Sequence, residues 1–140
     1  MVFQNYALYP QMTVKENMAF GLKIRNHSKE EIDTRVIESA KILQIDDLLE
    51  RRPKDLSGGQ RQAVAIARSL VRGSRLFIMD EPTAALGVEQ SAMVLSLLSD
   101  LRDNGAGVLL ISHNMAHVFD VVDRVVVLRH GKKVAERNKR

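Results

Sequence analysis

Apolar residues recur at helical spacing through the first half of the chain. Thr13 and Glu16 have the spacing of a capping box, and Ser28 and Glu31 repeat it, so each pair predicts the start of a helix. A third helix is predicted after Gly59 and extends to about residue 72. The positions predicted to face the core are Val14, Met18, Leu22 and Ile24, then Ile32, Val36, Ile37, Ala40 and Leu43, then Ala63, Val64, Ala67, Leu70 and Val71.

The second half alternates short apolar runs with helical patterns. Leu76–Met79 and Val108–Ile111 are continuous apolar runs, which predict strands covered on both faces. A third strand is predicted over Arg124–Leu128, with Lys132–Ala135 as its hairpin partner. Helices are predicted over Val88–Asn104 and Met115–Val122. This order is typical of an α/β fold with parallel strands, helical crossovers and a final antiparallel edge.

Length and composition limit the classes of protein that fit. The chain has 140 residues, enough for one domain or part of a larger one, and 45% of them are apolar. It has no cysteine, which excludes disulfides and thiolate metal sites. No apolar run approaches the roughly 20 residues of a membrane helix, and MVFQNYALYP lacks the features of a signal peptide. We therefore expect a soluble, intracellular chain.

Positive charge is concentrated in the tail. Residues 129–140 carry six Lys and Arg side chains against Glu136, so the tail is +5 and the remainder of the +4 chain is about −1. A basic tail suits nucleic acid or an anionic membrane surface, and the alternative is a solvated, frayed terminus. The tail contains no aromatic residue for base stacking. We therefore expect no nucleic-acid partner.

Ser57-Gly58-Gly59-Gln60 stands at a predicted helix start and suggests an anion site. Glycines allow a ligand close to the backbone, and the free amides and dipole of a helix N-terminus favour negative charge. The alternative is an ordinary cap in which Ser57 and Gln60 form a capping box. On these residues alone the two interpretations remain open.

Polar residues follow two of the predicted strands. Asp80 and Glu81 come after the first strand and His113 after the second, and ligands of open α/β sheets bind at the carboxyl ends of strands. A carboxylate there suits Mg²⁺, a second one suits activation of water, and a histidine suits a phosphate oxygen. The alternatives are solvated acids before the Pro82 turn and a structural histidine. Gln4 is uninformative alone.

In combination, these motifs resemble the ATP-binding-cassette (ABC) ATPases over essentially the whole chain. LSGGQ matches the signature motif, LFIMDEP resembles the Walker B strand, VFQN the Q-loop and ISHN the histidine switch. The closing DRVVVLRHGKKV resembles the last strands. The resemblance implies part of a P-loop NTPase fold with an α-helical signature-motif subdomain. It divides the chain into a Q-loop region (1–10), a helical subdomain (11–73) and a segment carrying the other motifs (74–140).

The resemblance also implies ATP and Mg²⁺ as cofactors and a role for each motif. Asp80 would hold Mg²⁺, Glu81 would activate the attacking water, and His113 would contact the γ-phosphate. Gln4 would sense Mg²⁺ and the water, and couple them to a membrane permease. The signature residues Ser57, Gly58, Gly59 and Gln60 would serve ATP bound to a second subunit in a head-to-tail dimer.

The type of transporter is also indicated by resemblance. VFQNYALYPQMTVKENMAFGLKIRNHSKEEID resembles importers of maltose, related oligosaccharides and glycerol phosphates. DEPTAALGVEQ and ISHNMAHVFDVVDRVVVLRHGKKVAE resemble the monosaccharide importers. Gly87 stands where the common D-loop has Asp, as in the monosaccharide branch. Both halves imply carbohydrate uptake by a cytoplasmic subunit held at the inner membrane face through the permease.

A Walker A loop, G-x-x-x-x-G-K-[ST], does not occur in these 140 residues. Gly131 alone precedes a lysine, and Lys133 follows where Ser or Thr is required. We therefore expect this chain to bind ATP weakly or not at all, and to be marginally stable or to associate. It is either the C-terminal portion of an importer ATPase or a non-catalytic module that offers LSGGQ in trans or docks on a permease.

Overall fold

The computed structural model of this protein describes residues 8–84 and 86–139. Gln4 and the rest of the predicted Q-loop lie outside these ranges. The helices are α1 (Val14–Ile24), α2 (Lys29–Ile42), α3 (Gly58–Val71), α4 (Val88–Asp103) and α5 (Met115–Val121), with 3₁₀ turns at Asp46–Leu48 and Pro53–Asp55. The strands are β1 (Leu76–Asp80), β2 (Gly107–Ile111), β3 (Arg124–Arg129) and β4 (Lys132–Asn138). No helix in these ranges is long and apolar enough to cross a membrane.

Side-chain caps begin the first two helices, as predicted. Thr13 Oγ1 accepts the Glu16 N–H at 3.2 Å, and the Glu16 carboxylate accepts the Thr13 N–H at 2.8 Å, which completes a capping box. Ser28 Oγ accepts the Glu31 N–H at 3.2 Å. The carboxylate of Glu31, however, turns to His27 Nδ1 at 3.0 Å, so the second capping box is only half formed. Local hydrogen bonds thus define both helix starts.

A hydrophobic core joins helices α1 to α4 to one face of β1. Two predicted core positions are wrong: Ile24 is 65% exposed at the end of α1, and Ile37 is 41% exposed. Ile37 follows the buried Val36, and adjacent helical positions lie about 100° apart, so both cannot face inward equally. The other predicted helix positions are buried or, for Leu70, partly buried against the core. Phe77 and Met79 add the strand contribution.

Within residues 8–84 and 86–139, the strands form two separate two-stranded sheets. β1 and β2 pair in parallel, with Leu76 opposite Gly107 and Asp80 opposite Ile111, as the crossover through α4 predicts. β3 and β4 pair antiparallel, as expected for the final hairpin. β3 does not pair with β2, and a groove of about 570 Å³ lies between these strands.

The prediction that β1 and β2 are covered on both faces is wrong within the described residues. Along β1 the buried side chains alternate with exposed or half-buried ones, and Leu76 is 63% exposed. On β2, Leu109 and Ile111 are 53% and 49% exposed. Side chains of a strand alternate between faces, and the helices cover one face only. The other face of this two-stranded sheet therefore carries exposed apolar side chains.

Residues 129–139 of the basic tail are solvated but not frayed. β4 continues through Asn138, three residues beyond the predicted Ala135, and every residue in it is exposed. Glu136 contacts Arg124 at 3.1 Å and Lys133 at 2.9 Å, and hydrogen bonds to these two cations hold its pKa below the ordinary value. The interpretation of the tail as a frayed terminus is corrected by this pairing.

Candidate functional site

The chain turns sharply where β1 ends. Asp80 is the last strand residue and is exposed. The next N–H, that of Glu81, donates to Ile111 O at 2.8 Å, so the ladder with β2 extends one residue further. Glu81 has φ = 47°, a left-handed conformation that is uncommon for a residue other than glycine. The buried Pro82 follows. This conformation at a strand end makes Glu81 a candidate for a functional residue.

The Glu81 carboxylate meets the end of β2. Its Oε1 lies 2.7 Å from His113 Nδ1 and also accepts the His113 N–H at 3.0 Å. Its Oε2 accepts the Ser112 hydroxyl at 3.4 Å. Glu81 is mostly buried, at 21% side-chain exposure, whereas the imidazole of His113 is 86% exposed. The carboxylate is thus held in place while the ring remains accessible to a ligand.

A second contact ties this turn to α5. Thr83 Oγ1 lies 3.4 Å from His117 Nδ1. Asn114 caps α5 by accepting the His117 N–H at 3.3 Å, and the Asn114 N–H donates to Ser112 Oγ at 3.2 Å. Ser112 therefore links Glu81 to the start of α5. No role was predicted for Ser112 from the sequence. Its position between a predicted strand and His113 could have indicated one.

The Ser57–Gln60 loop begins α3. Ser57 Oγ accepts the Gln60 N–H at 3.2 Å, and Gln60 Oε1 accepts the Ser57 N–H at 2.9 Å. The capping box, offered above as the alternative to an anion site, is therefore present. Arg61 Nη1 donates to Leu56 O at 2.7 Å and adds positive charge beside the loop. A capped helix N-terminus retains free backbone amides, so capping is compatible with anion binding.

The structure brings some of the candidate residues together and leaves others apart. Glu81 and His113 are in direct contact, and Asp80 adjoins them in the chain. The Ser57–Gln60 loop lies on a different element, packed against the start of α4 rather than bonded to this pair. Gln4 lies outside the described residues.

At the described ends of β1 and β2, the exposed carboxylate of Asp80 is suited to a divalent cation. Across residues 8–84 and 86–139 no three His, Cys, Asp or Glu side chains form a cluster that could hold a metal. Mg²⁺ bound with a nucleotide takes only one or two protein carboxylates, because phosphate oxygens and water complete its shell. The exposed oxygen donor at the end of β1 fits that requirement.

This α/β fold is similar to solved structures of ABC transporter cassettes. The dimeric structure of MJ0796, described as a bacterial ABC transporter cassette, matches with a TM-score of 0.76 and 30% sequence identity. MJ0796 in a post-hydrolysis dimer bound to ADP and Pi matches equally well. Each comparison covers 99% of this chain and 62% of the other.

The family assignment follows from a sequence model. The model described as "ABC transporter" matches residues 1–84 of the 140, a range that includes LSGGQ and the Asp80-Glu81 pair. The chain therefore belongs to the ABC transporter family. His113 lies beyond the matched range.

Curated relatives extend the similarity to most of the chain. It is 47% identical to the multiple sugar-binding transport ATP-binding protein MsmK of Streptococcus mutans. It is 46% identical to the oligosaccharides import ATP-binding protein MsmX of Bacillus subtilis and to the sn-glycerol-3-phosphate import ATP-binding protein UgpC 3 of Agrobacterium fabrum. Each match covers 94% of this chain, but the chain spans only 35–38% of these relatives' length.

Proposed function

We propose that this chain is part of the ATP-binding subunit of an importer for sugars or related compounds, and that it contributes residues for ATP hydrolysis. The observation that carries the proposal is the contact of Glu81 with His113 beside Asp80 at the carboxyl ends of β1 and β2. The relatives named above are transport ATP-binding proteins for sugars, oligosaccharides or glycerol phosphate. A cytoplasmic location at the membrane, through a permease, is part of the same proposal.

Three residues act on the nucleotide of the same subunit in this proposal. Glu81 accepts the proton of the attacking water and orients it, because its carboxylate is fixed by Ser112 and His113. Because His113 Nδ1 donates to the Glu81 carboxylate, the other ring nitrogen would donate to a γ-phosphate oxygen in the imidazolium form. Asp80 would hold Mg²⁺ through water, and this ion would neutralise charge on the phosphates. Gln4 would monitor the ion and the water.

The signature loop acts on the nucleotide of a second subunit. Ser57, Gly58, Gly59 and Gln60 form the first turn of a 14-residue helix, whose amides and dipole stabilise negative charge. The loop is not bonded to Glu81 or His113 in the described residues, which suits a role in trans. The helical subdomain (11–73) and the segment from residue 74 would then serve opposite nucleotides of a head-to-tail dimer.

The 140 residues by themselves should bind ATP weakly or not at all. They contain no Walker A loop, whose backbone amides and lysine would cradle the β- and γ-phosphates.

The groove between β2 and β3 also leaves Val126, Val127 and Leu128 exposed along one side. Uncovered apolar surface of this kind favours association.

A second candidate function is a non-catalytic module. The signature loop is complete and correctly capped although the cis phosphate loop is missing from the sequence. Such a chain would present LSGGQ to a complete subunit, or dock on a permease, without hydrolysing ATP itself.

One experiment tests the main proposal and separates it from the alternative. The purified chain is titrated with ATP and Mg²⁺, alone and mixed with a complete oligosaccharide-importer ATPase subunit, and binding and turnover are measured. The subunit carries its own glutamate-to-glutamine substitution at the catalytic acid, so any hydrolysis requires Glu81. We expect no saturable binding by the chain alone and ATP-dependent association in the mixture. Turnover that Glu81→Gln abolishes supports a catalytic contribution, and association without turnover supports the module.

The signature loop is tested with a matched pair of cap variants. Ser57→Ala and Ser28→Ala each remove the serine that caps a helix, at a cost of about 1 kcal/mol in either case. We expect only Ser57→Ala to weaken the ATP-dependent association. Equal weakening by both variants would show that lost stability, and not the signature loop, is responsible.

A further inference from the structure

The first turn of α3 packs tightly against the start of α4. A Cβ atom at Gly58 would lie 2.7 Å from Leu86 Cδ2 and 3.2 Å from Gln90 Oε1. A Cβ atom at Gly59 would lie 3.2 Å from the backbone oxygen of Gln90. Both glycines lie in regular α-helix, so their backbone conformation does not require glycine. Close packing within the protein is therefore a sufficient reason for glycine at both positions.

Leu86 is held in a fixed relation to the end of β1. The Ala84 N–H donates to Glu81 O at 3.0 Å, and the Leu86 N–H donates to Thr83 O at 3.3 Å. These turns connect the carboxylate site to Leu86 within five residues. Leu86 is half-buried, and its side chain is the nearest neighbour of Gly58. The segment after Glu81 therefore contacts the signature loop through this side chain.

We propose that Leu86 is a positioning residue for the Ser57–Gln60 loop. Its side chain packs beside Gly58, and the backbone of Gln90 packs beside Gly59. The packing of Leu86 against Gly58 joins the Glu81 turn to this loop. This inference rests on the proposed function in one respect, which is that the positioned loop binds a nucleotide. The packing itself does not depend on that function. The competing explanation is that the glycines serve only the close approach of a ligand.

The two explanations differ in a compensation test on the purified chain. Gly58→Ala, Leu86→Ala and the double variant are compared by amide hydrogen exchange. The reporters are Gln60 and Arg61, which donate to Ser57 at the start of α3. The matching amides of α2, which donate to its own cap residue Ser28, serve as internal reference.

We expect Gly58→Ala to accelerate exchange at the α3 reporters by at least about twofold relative to the α2 reference, as for residues in contact. Leu86→Ala should reverse this effect, because it removes the Cδ2 atom that the new methyl group meets. Gly59→Ala is the matched control. It meets backbone rather than a removable side chain, so Leu86→Ala should not rescue it.

The proposal is overturned if Gly58→Ala has the same effect with and without Leu86, or has none. If Gly58→Ala prevents folding, the double variant with Leu86→Ala should fold. Failure of the double variant to fold would also overturn the proposal. A second readout is the ATP-dependent association with a complete ATPase subunit, which Leu86→Ala alone should weaken. If the wild-type chain shows no such association, the proposed function fails while the exchange result stands independently.

Discussion

Asn17 secures the segment that precedes α1, and its replacement by alanine should measurably destabilise the protein. Its side chain is 1% exposed. Oδ1 accepts the Tyr9 N–H at 2.8 Å, and Nδ2 donates to the carbonyl oxygens of Tyr9, Met12 and Thr13 at 3.1, 3.2 and 3.0 Å. One buried amide therefore satisfies four backbone groups of a stretch that has no regular secondary structure of its own.

The magnitude follows from these contacts. The two N–H hydrogens of Nδ2 are shared among three carbonyl oxygens, so three hydrogens carry the interaction, and about 0.5–1.5 kcal/mol for each gives about 1.5–4.5 kcal/mol. The lower end applies, because Tyr9, Met12 and Thr13 are only half-buried and water can replace part of the loss. Alanine also recovers about 0.5 kcal/mol of helix propensity. We expect Asn17→Ala to lower the free energy of unfolding by about 2 kcal/mol, or the melting temperature by about 6 °C.

Urea and thermal unfolding followed by circular dichroism would measure this change. Asn17→Asp is the informative companion, because it keeps the acceptor for Tyr9 but sets a carboxylate against three carbonyl oxygens. It should be at least as destabilising as alanine at pH 7. Gln11→Ala, at an exposed position of the same segment, is the control and should change stability by less than about 0.5 kcal/mol. A loss for Asn17→Ala no larger than this control would refute the reasoning.

Three further predictions concern stability. Phe77→Ala, in the fully buried β1 position, should cost about 3–5 kcal/mol in denaturant unfolding, whereas Leu109→Ala on the exposed face should cost under about 1 kcal/mol; similar losses would contradict the one-sided burial. Gly73→Ala should lower the unfolding free energy by about 1 kcal/mol, because its φ of 85° is strained for alanine; an unchanged melt would argue against that conformation. The hydrogen bond from His27 lowers the pKa of Glu31, so this carboxylate stabilises the fold above its ordinary pKa and ceases to do so as pH falls through the lowered value. Melting temperatures of Glu31→Gln should consequently fall less than those of the wild type between about pH 5 and pH 3, and parallel curves would contradict the linkage.

Interactions between near neighbours in the chain were predictable from sequence. The capping boxes of Thr13 with Glu16 and of Ser57 with Gln60 join residues three apart, so the residue types alone define the helix start. The parallel pairing of β1 with β2 was also predictable, because a helical crossover allows little else. The family followed from LSGGQ and the strand-end acids.

Some contacts had no sequence signal that could be read. Asn17 was not singled out, because a buried asparagine within a helix looks like any polar position until its backbone partners are placed. The sequence predicted that the strand carrying Leu109 and Ile111 is covered on both faces, but these two residues are exposed. An apolar run does not show whether both faces of a strand are covered. The separation of β3 from β2 by a groove also had no sequence signal, because it depends on tertiary packing.

The sequence by itself determined the helices, the strands, the family and the candidate residues at the strand ends, because each depends on residue types a few positions apart. Only the tertiary structure decided that Glu81 contacts His113, 32 residues away, and that Leu86 fills the space beside Gly58. These contacts require the register of β2 against β1 and the packing of α3 on α4. Both are set by the burial of the shared core and not by any local pattern.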